Sequence, residues 1–328
     1  MLGEQATRET PRNDGKWAGA AACFFALVCA CARAGLPAAE FYSTQHDFAR
    51  AYPLWQGVLK SEPSQLTAVL RVAELNLLFA SRREARETLL GFLDEHRERL
   101  TPLARRQIRE KNSQLQSTFL TDEGQSQYYQ GVSKAGARDY DGALALLAQA
   151  SAFEVGNLRI LKEKARCERA QGQWQRLYET LKTAGTTDPY DASVREQLME
   201  AHIHFRDFPQ ALALHKVGAD TLNSARQRMA YGVALFESGA ADEARQALEP
   251  LLEQGGYAGA PHPIVYFALG RVLSGKAGFE AVAASYLERF ETLVSAPDLR
   301  FIDGWDPYQT DTRLAEARSL RQSLRGKP

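Results

Sequence analysis

Residues 165–189, ARCERAQGQWQRLYETLKTAGTTDP, read as two helices joined by a turn. Ala165 is small enough to let paired helices approach closely. Gly172-Gln173-Trp174 follows seven residues on, with Gly172 at the end of the first helix, where a left-handed cap costs glycine little. Trp174 folds back over the hairpin, Leu177, Leu181 and Ala184 form an apolar stripe, and Pro189 stops the second helix.

The series recurs along the chain. Ala143, Leu177, Ala211 and Ala244 are spaced 34, 34 and 33 residues apart. Gly131, Asp139-Tyr140, Ala143, Leu147 and Ala150 match the template, as do Gly232, Gly239, Ala244 and Leu248. Asp207-Phe208 and Ala211 match it too, with His215 and Gly218 replacing a large and a small residue; His215 reads as a satisfied core histidine. Upstream lie Ala73, Ala85 and Leu89, and before them Ala39, Tyr42, Asp47-Phe48, Ala51, Trp55, Val58 and Pro63. Downstream, after GGYAGAPHP (255–263), where the paired glycines read as a turn, Gly270, Gly278-Phe279 and Val282 make a degenerate copy. A period near 34 marks a solenoid of helical hairpins, each resting on its neighbours.

These residues resemble the tetratricopeptide repeat (TPR) family, over residues 36–295 and seven units. The resemblance implies an all-α, right-handed solenoid whose first helices line a concave, protein-binding groove. Two departures modify it. The interval from Ala85 to Ala143 is 58 residues, room for an inserted helix near 102–117 with Leu103, Ile108 and Leu115 apolar. After residues 298–309, DLRFIDGWDPYQ, an amphipathic helix near 311–325 (Leu314, Ala317, Leu320, Leu324) closes the array, with Trp305 and Tyr308 packed on that end or, as the alternative, forming a docking loop. The expected organisation is an export signal at 1–34, two repeats at 35–97, an inserted helix and linker at 98–123, five repeats at 124–297, and the closing loop and helix at 298–328.

Residues 17–32, WAGAAACFFALVCACA, follow Lys16 and are too short for a bilayer's ~30 Å core. Small residues in AxA spacing at Ala30-Cys31-Ala32 and Ala32-Arg33-Ala34 predict a signal cleaved after Ala32 or Ala34. Val28-Cys29-Ala30-Cys31 also resembles a lipobox, which would place a lipid on Cys31. An uncleaved anchor is the remaining membrane link. The expected location is therefore periplasmic or secreted, or tethered as a lipoprotein. Cys167 alone remains in the body, so no internal disulfide is expected.

The 40 basic and 40 acidic side chains cancel, which argues against nucleic acid as a partner. No GxSxG, P-loop, HExxH or dinucleotide glycine pattern occurs, and Asp94-Glu95 and Asp122-Glu123 read as solvated helix ends. His202 and His204 stand two apart on a helix and do not share a face for a metal. No enzyme activity, cofactor or metal is expected.

The groove-facing positions of one first helix hold Arg159, Lys162, Arg166 and Arg169, spaced to lie on one face. The unit before supplies Tyr128 beside Tyr129, and the unit after offers Glu196 and Glu200. Two readings follow. The cations form a seat for a carboxylate- or phosphate-bearing ligand, or they pair with Glu200, Glu196, Glu163 and Glu168. The carboxylate clamp of chaperone-binding TPR proteins, an Asn/Lys/Arg set, finds no match here. The expected function is a protein- or peptide-binding scaffold of the cell envelope. The alternative is an accessory subunit of an envelope polysaccharide- or peptidoglycan-processing or export system.

Overall fold

The computed structural model describes residues 35–217, 224–254, 262–295 and 306–325. The expected signal, Cys31, Gly218, the glycine pair at 255–256 and Trp305 lie outside the described residues. The chain divides into two compact units, one ending at Leu115 and the other beginning at Gln116.

Unit 1 contains α1 (35–44), α2 (Phe48–Ser61), α3 (Leu66–Phe79), α4 (Arg82–His96) and α5 (Pro102–Ser117). Asp47 and Ser81 cap α2 and α4 by accepting from backbone amides of the first turn. Ala39 makes room for Trp55 and Ala73 for Leu89, and all four are buried. Trp55 satisfies its indole by donating to Ser43 Oγ at 2.8 Å. The inserted helix is present at the expected place. It buries Ile108, Leu115 and Asn112, but Leu103, expected inside, is 64% exposed.

Unit 2 runs α6 (Asp122–Gly136), α7 (Tyr140–Phe153), α8 (Leu158–Ala170), α9 (Trp174–Thr187), α10 (Ala192–His204), α11 (Phe208–Val217), α12 (Ala225–Glu237) and α13 (Ala241–Leu248). It continues with α14 (Leu251–Gln254), α15 (Pro263–Ser274), α16 (Glu280–Ser295), a 3₁₀ turn (Thr310–Arg313) and α17 (Leu314–Arg325). Five antiparallel pairs, α6/α7, α8/α9, α10/α11, α12/α13 and α15/α16, stack as TPR-like hairpins, and α17 closes on α16.

One contact repeats through these pairs. Gly131 faces Leu147, Gly232 faces Leu248 and Gly270 faces Leu287. A Cβ added to Gly232 would stand 2.5 Å from Leu248 Cδ2, inside contact distance. The turns recur as well: Arg138, Gly172, Arg206, Gly239 and Gly278 all have φ between 61° and 83°. Thr121, Asp139, Asn157, Asp191 and Ser224 then cap α6, α7, α8, α10 and α12.

Three details depart from the sequence reading. In α16 the buried small residue is Ala283, and Val282 is 42% exposed. His215 is half-buried rather than a satisfied core residue; its ring stacks on Tyr231 at 3.8 Å and its Nδ1 has no hydrogen-bond partner among the described residues. Trp174 reaches past its own hairpin to stack on His204 of α10, ring centres 3.5 Å apart.

Candidate functional site

The first helices α6, α8, α10 and α12 carry the polar residues picked out by the repeat phase. Asn157 starts α8 by accepting from the amides of Arg159 and Ile160. Ile160, Ala165 and Cys167 are then buried, which leaves Arg159, Lys162, Arg166 and Arg169 toward solvent. At the head of the strip Tyr128 sits half-buried between Phe119 and Tyr129, ring centres 5.1 and 5.3 Å away. Burial raises the Tyr128 hydroxyl pKa, and the nearby Glu163 carboxylate adds to this, while Arg159 and Arg166 oppose it. Tyr129 is 52% exposed.

The cations are mostly neutralised, by partners the sequence only partly identified. Lys162 Nζ lies 2.9 Å from Asp191, the cap residue of α10. Arg166 forks onto Glu163, one turn away, with Nε 3.0 Å from Oε2. Arg169 lies close enough to Glu196 to stabilise its charged form, although burial raises that carboxyl's pKa overall. Glu168 points elsewhere, accepting a hydrogen bond from Thr180 of α9 while burial raises its pKa.

The α10 carboxylates face α12. Arg226 grips Glu200 through two bonds of 2.6 Å and lies 3.3 Å from Glu196, which also accepts from Ser224 Oγ. Glu200 is 1% exposed, so the expectation that it faces a ligand is corrected. Nor do Arg166 and Glu200 pair, because Arg226 occupies that carboxylate. Arg159 is exposed and makes no ion pair among the described residues. The strip thus combines an exposed aromatic ring with one uncompensated guanidinium, beside cations already held in pairs. Asp191, Ser224 and Arg226 escaped the sequence reading. Counting 34 and then 33 residues on from Arg159 reaches Arg226, so the period itself held that signal.

The remaining candidates resolve separately. His202 Nδ1 lies 3.2 Å from Asp207, and His204 stacks on Trp174. Cys167 is buried, and burial pushes its thiol up to about 11. Tyr308 was expected on the end of the array, but its hydroxyl donates to Glu200 Oε1 at 3.4 Å, on α10. A cavity of about 460 Å³ opens between α9, α10 and α11, lined by Tyr178, Lys182, His202, Asp207 and Leu214 among others. Unit 1 holds one of about 450 Å³, bordered by Glu40, Trp55, Arg71 and Glu74. Among the described residues no helix is long and apolar enough to cross a membrane.

No protein-family model matches the chain, and comparison with curated proteins finds no match. Solved structures do resemble it. A TPR protein of Thermus thermophilus is 22% identical, covering 60% of this chain and 99% of that one, with a TM-score of 0.39. A tetratricopeptide repeat protein of Parabacteroides merdae is 9% identical, covering 89% and 98%, with a TM-score of 0.38. The pilF protein of Pseudomonas aeruginosa is 14% identical, covering 71% and 95%, with a TM-score of 0.36.

Proposed function

We propose that the chain is a non-enzymatic scaffold that binds a protein or peptide partner on the first-helix face of unit 2, with Tyr128, Tyr129 and Arg159 as the seat for a carboxylate of that partner. The supporting observations are that Arg159 is exposed and makes no ion pair among the described residues, that its charge acts on the Tyr128 hydroxyl, and that the exposed Tyr129 ring packs against Tyr128 at 5.3 Å. A guanidinium offers a carboxylate two parallel donors, and an adjacent ring supplies apolar contact at small entropic cost. Lys162, Arg166 and Arg169, each already beside a carboxylate, border the seat, and Glu196 with Arg226 lies on the following first helices.

The test is binding of a labelled peptide library, presented with free and with amidated C-termini, to the mature chain. Acidic or free-carboxylate peptides should be retained. Arg159→Glu should weaken them about tenfold to a hundredfold, since a charge-assisted hydrogen bond contributes about 1.5–3 kcal/mol. The melting temperature should not move, because Arg159 supports no other group. Equal affinity after this charge reversal would refute the seat.

The apolar stretch at 17–32 with its AxA spacing supports placing the chain in the cell envelope. The mature N-terminus decides its form: cleavage after Ala32 or Ala34 leaves a soluble periplasmic or secreted protein, and a diacylglyceryl mass on Cys31 marks a lipoprotein. A chain that keeps residue 1 and fractionates with the cytosol would remove the envelope from the proposal.

A further inference from the structure

Closing the array requires only α17, which packs on α16 and α15. The eight residues before it, Asp306 to Arg313, do something else. They lie across α10, α12 and α15 and lead back to the closing helix. Tyr308 donates to Glu200 on α10, and Gln309 Nε2 donates to the His204 carbonyl at 3.3 Å. Arg313 pairs with Glu237 at the end of α12 at 2.5 Å and lies over the Phe267 ring of α15 at 5.2 Å. Tyr308 is 1% exposed, with the His262 ring edge-on at 5.2 Å, and Thr310 is fully buried.

The segment makes its own shape. Asp306 accepts from the amides of Tyr308 and Thr310 and from the Thr310 hydroxyl, and Arg313 Nε donates to the Tyr308 carbonyl. Gln309 takes a left-handed φ of 53°. Its bonds to the face are made by side chains: a phenol, an amide and a guanidinium. Without the segment Glu200 would keep the two-pronged Arg226, and Glu237 would lose the Arg313 counter-charge.

We propose that α10, α12 and α15 form a second peptide-recognition surface, occupied in this chain by residues 306–313 and open to a partner segment that carries a phenol followed, five residues on, by a cation. Glu200 and His262 receive the phenol; Glu237 and Phe267 receive the cation. The surface uses none of Tyr128, Tyr129 or Arg159, so it stands or falls apart from the α6–α8 seat.

Native-state hydrogen exchange on the full chain is the first test. The amides of Tyr308 to Arg313 should exchange at least ~10-fold faster than those of Phe267 to Leu273, through an opening that spares α15. Exchange in step with α15 would make the segment a fixed part of the end and overturn the proposal. In the second test a dye-labelled peptide, DPYQTDTR, is offered to the full chain and to its Tyr308→Ala/Arg313→Ala variant. The variant should bind it at least ~10-fold more tightly than the wild type. Adding Glu237→Arg should abolish that binding and favour a peptide ending in Glu. Arg159→Glu should leave it unchanged. A variant that keeps its melting temperature and binds no peptide would overturn the proposal.

Discussion

Replacing Gly232 by alanine sets two effects of known sign against each other. Gly232 lies inside α12, where alanine is the better helix former by about 1 kcal/mol. The added Cβ would lie 2.5 Å from Leu248 Cδ2 and 2.6 Å from its Cγ. Leu248 is fully buried and has nowhere to turn, so the helices must part or the leucine must strain. Overpacking of this kind costs about 1–3 kcal/mol, and the net expectation is a loss of about 1 kcal/mol. Gly131→Ala is the control. Its nearest contact is Leu147 Cγ at 3.0 Å, which a small shift relieves, so propensity and crowding should cancel to within about 0.5 kcal/mol. Leu248→Ala opens the space again, which removes the overpacking cost and leaves the propensity gain, so the double variant should lose about 2 kcal/mol less than the sum of the singles. Urea unfolding followed by circular dichroism gives the totals. Hydrogen exchange of the α12 and α13 amides localises them, as a repeat array need not unfold in one step. A Gly232→Ala variant more stable than wild type would show the α12/α13 contact to be slack and the packing argument wrong.

Glu154, 1% exposed, accepts from the amides of Leu120 and Thr121 and from the Thr121 hydroxyl. Glu154→Ala should cost about 2–3 kcal/mol in urea unfolding and Glu154→Gln about 1 kcal/mol, and equal costs would show that the bonds do not matter. Burial, helped by Arg226, holds His262 down to about 3 from 6.5. The unfolded chain therefore takes up a proton that the folded one refuses, so this stability is full above pH 6.5 and is lost as pH falls toward 3. By pH 4 the loss is about 3 kcal/mol relative to His262→Asn, which keeps a capping acceptor; identical acid limbs in thermal melts would refute it. Cys167 should react with a thiol reagent only when α8 separates from α6 and α7, and rapid labelling of the native chain would contradict its burial.

The hairpins were legible because packing forces a small residue against a large one sixteen positions later, as Ala39 with Trp55 and Ala165 with Leu181. The inserted and closing helices followed from where that rhythm failed. The rhythm erred in α16, where the spacing from Gly270 to Leu287 gains one residue and moves the buried position from Val282 to Ala283. For the site, helical spacing gave the face but not its charge. Of the partners, Glu163 on the same helix was within reach of that spacing, whereas Asp191 comes from a cap and Arg226 from the next unit but one. Tyr308 meets Glu200 across 108 residues, a pairing that no local pattern encodes.

Order of synthesis gives that last contact a further meaning. Glu200, Arg226 and His262 leave the ribosome before Tyr308, so α10, α12 and α15 can fold while the segment that covers them is still being made. Every new chain therefore passes through an interval with this face bare. A partner segment of the proposed kind present during synthesis would meet no competitor then, and one arriving later would have to displace residues 306–313. Truncation between Ser295 and Asp306 would make that interval permanent.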